Sequence, residues 1–127
     1  MKIAVSAIEN SLDSQIDQRF GRCQYFLIID SETMELEAVS NKGATASGGA
    51  GIQAAQTIAN KGVGVLITGD IGPNAFQTLS AAGIKVITGA SGTVREALEQ
   101  YKSGSLRQAS SATAESHAGI KGRRGGE

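Results

Sequence analysis

Two arginines and the only cysteine of the chain lie in one five-residue segment. Arg19 and Arg22 flank Phe20 and Gly21, and Cys23 follows directly. A guanidinium group holds anions by its charge and by a rigid fork of N–H donors. Nearby arginines also favour the thiolate form of cysteine, which binds soft metals. The segment is therefore a candidate ligand site, although a lone cysteine is more often a buried residue that only packs.

A glycine-rich connection supplies a second group of candidates. Residues 41–51 read NKGATASGGAG, and peptide N–H groups in such a loop can bind an anion. The pattern Gly49-x-Gly51-x-x-Ala54 also fits a dinucleotide fingerprint, with Asp70 at about the right distance for a ribose. That fingerprint requires a strand leading directly into the glycines, whereas residues 41–48 intervene here, so nucleotide binding is the weaker interpretation. The candidate binding positions in this connection are Asn41, Gly48, Gly49 and Gly51.

Three further loops follow predicted strands. Ligands of open α/β sheets usually bind outside the carboxyl ends of parallel strands, and we expect residues 6–10, 69–72 and 88–93 to lie there. The last two lead into helix N-termini, where unpaired N–H groups and the positive end of the helix dipole favour an anion. Glycine in these loops is equally explained by turns that need a positive φ, so both interpretations stay open. The candidate glycines after the fourth strand are Gly69 and Gly72.

The chain is poor in residues for acid–base or nucleophilic catalysis. Its only histidine is His117, near the C-terminus. There is no zinc-spaced cluster of Cys and His, no P-loop and no Cys-x-x-Cys pair. The spacing of Asp13, Asp17 and Asp70 gives no reason to pair their carboxylates. We therefore expect a binding or carrier protein and no enzyme; a nucleotide-binding or regulatory domain is the alternative, and an enzyme acting on an anionic substrate is least favoured.

Composition narrows the class of protein further. The 127 residues suit one domain, and twelve basic residues balance twelve acidic ones, so whole-chain charge does not favour nucleic acid or an anionic membrane. A single cysteine cannot close an intramolecular disulfide. No apolar run approaches the ~18 residues of a membrane span, and the N-terminus lacks a signal-peptide pattern. We expect a cytoplasmic monomer or weak oligomer with no nucleic-acid or membrane partner.

Hydrophobic periodicity predicts the element order βββαβαβα. The second and third strands are joined by the polar turn 30–33 and form an antiparallel hairpin. Strand–helix–strand units then form parallel pairs through right-handed crossovers, so the sheet is predicted to be mixed and five-stranded. A capping box, Thr93-Val94-Arg95-Glu96, opens the last helix. The predicted strands span 2–7, 25–29, 34–40, 63–68 and 84–87, and the helices begin near Ile52, at Pro73 and at Val94.

Composition changes sharply after Lys102. Between residues 103 and 127 only Leu106 and Ile120 are large aliphatics. Such a segment buries too little apolar surface to offset the entropy of ordering it. We predict a folded domain over residues 1–102 and a flexible tail over 103–127.

The motifs together resemble a known family. The segments MKIAVSA (1–7), DQRFGRCQYFLIID (17–30), VLITGDIGPNAFQTLSAAGIKVI (65–87) and GTVREALEQY (92–101) occur in this order. They are similar to the dinitrogenase iron–molybdenum cofactor biosynthesis family, which includes NifX-type carriers, the C-terminal part of NifB and small stand-alone members. The resemblance covers about residues 1–102 and is greatest to the stand-alone members.

The resemblance implies a ribonuclease H-like α/β fold, with a mixed five-stranded sheet in the order 3-2-1-4-5 and helices on its faces. It also implies binding or delivery of an anionic metal–sulfur cluster: the iron–molybdenum cofactor, its precursor or another molybdenum– or iron–sulfur cluster, since related proteins hold molybdenum–copper–sulfur clusters. Cofactor-assembly or recipient metalloproteins are the implied partners.

Our favoured hypothesis is a non-catalytic carrier or scaffold for such a cluster. The receiving surface would combine Arg19, Arg22 and Cys23 with N–H groups of residues 48–51. Family members that carry nitrogenase cofactor often have His before Phe-Gly, where this chain has Arg19. Retention by charge is then expected at that position, and Cys23 is either the metal ligand or a packed residue.

Overall fold

The computed structural model describes residues 1–41 and 49–106. These residues form elements in the predicted order βββαβαβα. Gly48 and residues 107–127 of the predicted tail lie outside the described residues. The elements are β1 Lys2–Ala7, β2 Tyr25–Asp30, β3 Leu36–Ser40, α1 Ala50–Asn60, β4 Val65–Ile67, α2 Pro73–Ala81, β5 Lys85–Ile87 and α3 Val94–Lys102.

The strands form a mixed sheet in the order β3-β2-β1-β4-β5. β1 pairs antiparallel with β2, and β2 with β3, whereas β1–β4 and β4–β5 are parallel pairs. The order 3-2-1-4-5 is therefore confirmed, and it is consistent with a ribonuclease H-like fold. Because β1 and β4 run in the same direction, the chain leaves both of them at the same edge of the sheet.

The β2–β3 turn differs from its prediction in one respect. The Asp30 carboxylate accepts the N–H groups of Glu32 (2.8 Å) and Thr33 (3.3 Å), and these bonds lower the pKa of Asp30. Met34 has a left-handed φ of 64°, and its N–H donates to the Asp30 carbonyl at 2.7 Å. Met34 thus belongs to the turn, and β3 begins at Leu36, two residues later than predicted.

The two faces of the sheet build two hydrophobic clusters, because successive strand residues point to opposite sides. One cluster lies between the sheet and helices α1 and α2, and the other lies between the sheet and α3. Leu106, inside the segment predicted to be a flexible tail, packs against the second cluster. The alternation is strict: Ala4, Phe26, Ile28, Leu66 and Val86 face α1 and α2, and Ile3, Val5, Leu27, Ile29, Val65, Ile67 and Ile87 face α3.

The helices over the described ranges are short. None is long and apolar enough to cross a membrane. The N-terminus of α3 carries the predicted capping box: the Thr93 hydroxyl accepts the Glu96 N–H at 3.1 Å, and the Glu96 carboxylate accepts the Thr93 N–H at 2.9 Å. The capping box thus satisfies two N-terminal donors, and the Val94 and Arg95 N–H groups donate to the Ser14 and Leu12 carbonyls at 2.9 Å each.

Removing the cap of α3 tests its contribution to stability. We expect Thr93→Ala to lower the free energy of unfolding by about 1 kcal/mol. Thr57→Ala is the matched control, because the Thr57 hydroxyl only donates back to the Gln53 carbonyl inside α1 (3.0 Å) and alanine is the better helix former. Urea denaturation measures both; equal losses in the two variants would contradict a stabilising cap.

Candidate functional site

A cavity of about 710 Å³ opens where three parts of the chain meet. The first is residues 17–23, which we call the arginine loop; the others are the N-termini of α1 and α2. The lining comprises residues 19–22, 49–52, 70 and 72–75. Seven of the predicted site residues therefore share one cavity: Arg19, Phe20, Gly21, Arg22, Gly49, Gly51 and Gly72.

Main-chain hydrogen bonds fasten the arginine loop to the connection between β4 and α2. The Asp70 N–H donates to the Gln18 carbonyl at 2.7 Å, and the Phe20 N–H donates to the Asp70 carbonyl at 3.3 Å. Gly69 allows this approach, because a Cβ there would lie 2.7 Å from the Gln18 Cα and overlap its side chain. Gly69 was predicted to bind the ligand; it lies outside the cavity lining, and its contacts are with the arginine loop.

Two side chains fix the geometry within the arginine loop. Phe20 is buried, with its ring centroid 5.2 Å from that of Phe26. The buried Asp17 carboxylate accepts the Arg19 N–H at 3.0 Å and pairs with the Arg19 Nε at 3.3 Å. The Ser6 hydroxyl in turn donates to the Asp17 carbonyl at 2.7 Å. Asp17 thus holds the main-chain N and the Nε atom of Arg19 in place. The Arg19 side chain is 69% exposed and lines the cavity.

The N-termini of α1 and α2 line the cavity, and no side chain among the described residues caps them. Gly49 (φ 72°) is the N-cap of α1 and Gly72 that of α2, neither end has a side-chain cap, and neither first turn has an acidic residue. The first N–H groups of a helix lack partners within the helix, and its N-terminus carries about half a positive charge. Unlike α3, both helices therefore offer their donors and dipoles to the cavity.

Glycine sets the distance between the arginine loop and α1. A Cβ at Gly21 would lie 3.1 Å from the N and Cα atoms of Gly51, and a Cβ at Gly51 would lie 3.2 Å from the Ala75 Cβ. Any larger residue would push the backbone of one wall away from the other. These two glycines bring the arginines, α1 and α2 together around one cavity.

Cys23 lies behind the cavity wall. Its side chain is fully buried, and its thiol donates to the Phe20 carbonyl at 3.3 Å. Burial, with the nearby Asp17 charge, raises the pKa of Cys23 from 9.0 to about 12. The expectation that neighbouring arginines favour the thiolate is therefore wrong. This geometry favours a packing role, and metal ligation by Cys23 stays a prediction that would require the wall to open.

Asn41 also has a supporting position. Its side-chain N–H group donates to the carbonyls of Cys23 (2.9 Å) and Gly21 (3.2 Å), and its own N–H donates to the Gln24 carbonyl at 3.0 Å. Asn41 thus fastens the end of the arginine loop to the end of β3. It lies outside the cavity lining.

Only one of the three predicted post-strand loops reaches the cavity. Residues 69–72 contribute Asp70 and Gly72. Residues 88–93 pack elsewhere, since the Gly92 carbonyl accepts the Ile16 N–H at 2.9 Å and the Thr93 end is capped. Residues 6–10 pair with residues near Gln15, whose carbonyl accepts the Ile8 N–H at 3.2 Å.

The sequence reasoning missed several lining residues: Ala50, Ile52, Asn74 and Ala75. They are the first residues of α1 and α2. The glycines that precede both helices predicted anion binding at these N-termini. No sequence pattern indicated that the N-termini of α1 and α2 line one cavity.

The lining can hold an anion but carries no catalytic group in a recognisable arrangement. It offers two guanidinium groups, main-chain N–H donors and the Asp70 carboxylate. Within residues 1–41 and 49–106, no three His, Cys, Asp or Glu side chains cluster as a metal site would require. The arrangement of the described residues therefore fits the binding of an anion.

The chain matches one protein family and is similar to several known proteins. Residues 1–104 match the family model described as dinitrogenase iron–molybdenum cofactor. An uncharacterised protein of Methanocaldococcus jannaschii is 32% identical over 111 residues, which are 85% of this chain and 91% of that protein. The apo form of the orange protein from Desulfovibrio gigas is similar in structure, with 46% identity and a TM-score of 0.87, over 88% of this chain and 95% of that one. A NifB-like protein from Thermotoga has 38% identity and a TM-score of 0.78, over 88% and 96% of the two chains.

The buried thiol leads to a prediction about reactivity and pH. We expect Cys23 in the folded protein to resist iodoacetamide up to about pH 9 and to react once urea unfolds the chain. Because the folded protein retains the thiol proton to about pH 12 and the unfolded chain loses it near 9.0, stability falls as pH rises through this window. Mass spectrometry of the alkylated protein measures reactivity; rapid labelling of the native protein at pH 7 would contradict the burial.

The glycine contact leads to a second prediction. Gly21→Ala forces a Cβ against the backbone at Gly51, and we expect a loss of about 1–3 kcal/mol in the free energy of unfolding, as for other overpacked sites. Gly64→Ala is the control, because a Cβ there would make ordinary contacts with the flexible Met1 side chain at 3.4 Å and the Lys2 carbonyl oxygen at 3.9 Å, and we expect a change within about 0.5 kcal/mol. If the stability of Gly21→Ala is unchanged, the backbone at Gly51 can shift without cost, and the close contact does not set the distance between the arginine loop and α1.

Proposed function

Since the chain belongs to the dinitrogenase iron–molybdenum cofactor family, we propose that it carries an anionic metal–sulfur cluster in the cavity beside the arginine loop. Its role lies in binding or biosynthesis related to that cofactor, and the family is one of cofactor-associated proteins with no known catalysis. The cargo we propose is an iron–molybdenum cluster, its precursor or another molybdenum–sulfur cluster. Cofactor-assembly or recipient metalloproteins are the proposed partners.

The observation that carries the proposal is the convergence of Arg19, Arg22 and two uncapped helix N-termini on one cavity. Sulfide atoms at the surface of an anionic cluster can accept hydrogen bonds from guanidinium groups and main-chain N–H groups. Hydrogen bonds to ionised groups are about twice as strong as neutral ones, so several weak sulfur acceptors together can retain a guest.

The cluster would be held through its own sulfur atoms, without a bond from the protein to a metal. The cavity lining contains no Cys, His or Met, and residues 42–48, which join β3 to α1, contain none in their sequence. Cys23 is buried behind Phe20 with its proton in place. The guest that fits is therefore a cluster whose metals are already fully ligated by sulfide, such as a thiometallate.

The residues of the lining fit the binding of a guest better than a chemical reaction on that guest. General acid–base catalysis needs a titratable group positioned against the reacting atoms, and Asp70 is the one carboxylate of the lining. The dinucleotide alternative lacks its structural context, because β3 ends at Ser40 and does not lead directly into Gly49. A binding site that leaves its guest unchanged is the simplest function of these residues.

Loading with tetrathiomolybdate tests the proposal. We expect its visible absorption band to comigrate with the protein on gel filtration, and we expect Arg19→Ala with Arg22→Ala to weaken binding at least tenfold, since each lost charge-assisted bond costs about 1.5–3 kcal/mol. Arg95→Ala is the matched control, because Arg95 pairs with Asp13 at 3.1 Å on the surface and lies outside the cavity lining.

Two further measurements separate the alternatives. Cys23→Ala is expected to retain the thiometallate; its loss from a variant with unchanged thermal stability would favour thiolate ligation. Calorimetry with millimolar ATP and GTP is expected to detect no binding. Undiminished retention by the double arginine variant would show that the cluster is held elsewhere.

A further inference from the structure

The cavity proposed to attract anions also contains a carboxylate. Asp70 is exposed and lines the cavity together with Arg19 and Arg22. Among the described residues, no salt bridge engages the Asp70 carboxylate, since Arg19 pairs with Asp17 instead. A negative side chain without a partner opposes the binding of any anionic guest, so its presence needs an explanation.

The backbone holds Asp70 at this position. Its N–H donates to the Gln18 carbonyl at 2.7 Å, and its carbonyl accepts the Phe20 N–H at 3.3 Å. These bonds lie on both sides of Arg19, which forms a parallel bridge with Asp70. These bonds fix the Asp70 backbone in the cavity wall, so its carboxylate remains within a side chain's length of the arginine loop.

A count of charges shows what this carboxylate does to the site. Two arginines line the cavity, and two carboxylates, Asp17 and Asp70, lie on the same loops. Over the described residues the formal charge of these four side chains is therefore balanced, and the two helix N-termini add roughly half a positive charge each. Without Asp70 the net positive charge of the site would be about doubled.

We propose that Asp70 is the residue that selects the guest by charge: it weakens binding in proportion to the negative charge of the thiometallate. This inference rests on the proposed function of the cavity. Asp17 is engaged in holding Arg19, whereas Asp70 acts on the guest alone. A site with this balance binds a cluster of low charge and releases it readily to a recipient, while highly charged clusters are disfavoured.

The test uses three tetrahedral thioanions of similar shape and different charge: tetrathiorhenate (−1), tetrathiomolybdate (−2) and tetrathiovanadate (−3). Asp70→Asn removes the charge and keeps the size of the side chain. The repulsion between two unit charges roughly 8 Å apart near water lowers the affinity about twofold, and the effect multiplies with each further charge on the anion. Removing the Asp70 charge is therefore expected to raise the affinity about two-, five- and tenfold for the three anions. Spectrophotometric titration of the full chain in oxygen-free buffer at pH 8.5 measures the dissociation constants.

Asp13→Asn is the matched control, because Asp13 pairs with Arg95 on the surface and does not line the cavity; it is expected to bind all three anions as the wild type does. The gains of Asp70→Asn are also expected to shrink in 0.5 M salt, which screens charges. A gain equal for all three anions, or no gain, would overturn the role of Asp70 and leave the carrier function standing. Absence of binding by the wild type and by Asp70→Asn would overturn both.

Discussion

The attachment of the arginine loop to the β4–α2 connection is the constraint on which the site depends. Two short main-chain bonds through Asp70 fix where the loop runs, and Gly69 is the residue that permits the approach. Buried Asp17 then sets the direction of Arg19 from below. Because main-chain bonds hold the loop, both arginines line the cavity, and the Arg19 guanidinium is 69% exposed while it pairs with Asp17. The close contact of Gly21 with Gly51 brings α1 to the same place.

The three helices divide into two kinds. The N-terminus of α3 is closed by Thr93 and Glu96, and it packs on the face of the sheet opposite to the cavity. The N-termini of α1 and α2 begin at glycines without acidic neighbours. Helix ends that begin at glycine lack the hydrogen bond of a side-chain cap, which costs only a few tenths of a kcal/mol each. Because no side chain among the described residues caps them, the N–H donors of these helix ends are available to a guest. The binding site therefore lowers the stability of the fold slightly.

The elements and their order followed from the sequence because the strands are short apolar runs bounded by glycine or polar turns, and the helices have apolar residues spaced three or four apart. Met34 was misplaced, because its apolar side chain continues the alternation of Leu36 and Ala38 into the turn, and nothing in the sequence indicates its left-handed φ. The seven cavity residues were predicted because arginine and glycine N–H groups suit an anion, and Phe20 lies between two of them; Gly49 also has the positive φ of 72° that a turn would explain. The pKa of Cys23 moved opposite to expectation, since adjacency to Arg22 in the sequence says nothing about burial or about the Asp17 charge, which is brought close only by the fold. Asn41 and Gly69 were predicted to bind the ligand. In the structure both lie outside the cavity lining and contact the arginine loop.

In the function proposed above, binding without a bond to the metal would have a consequence for transfer. A protein thiolate or imidazole bound to a cluster must be displaced before the cluster can leave, and that step has its own barrier. Hydrogen bonds and charge impose no such step, so the guest can dissociate intact with its sulfide ligands. The nearly balanced charge of the cavity works in the same direction, because it keeps the attraction between site and guest modest. A lining of arginine, glycine N–H groups and a single carboxylate is therefore suited to a protein that hands over its cargo.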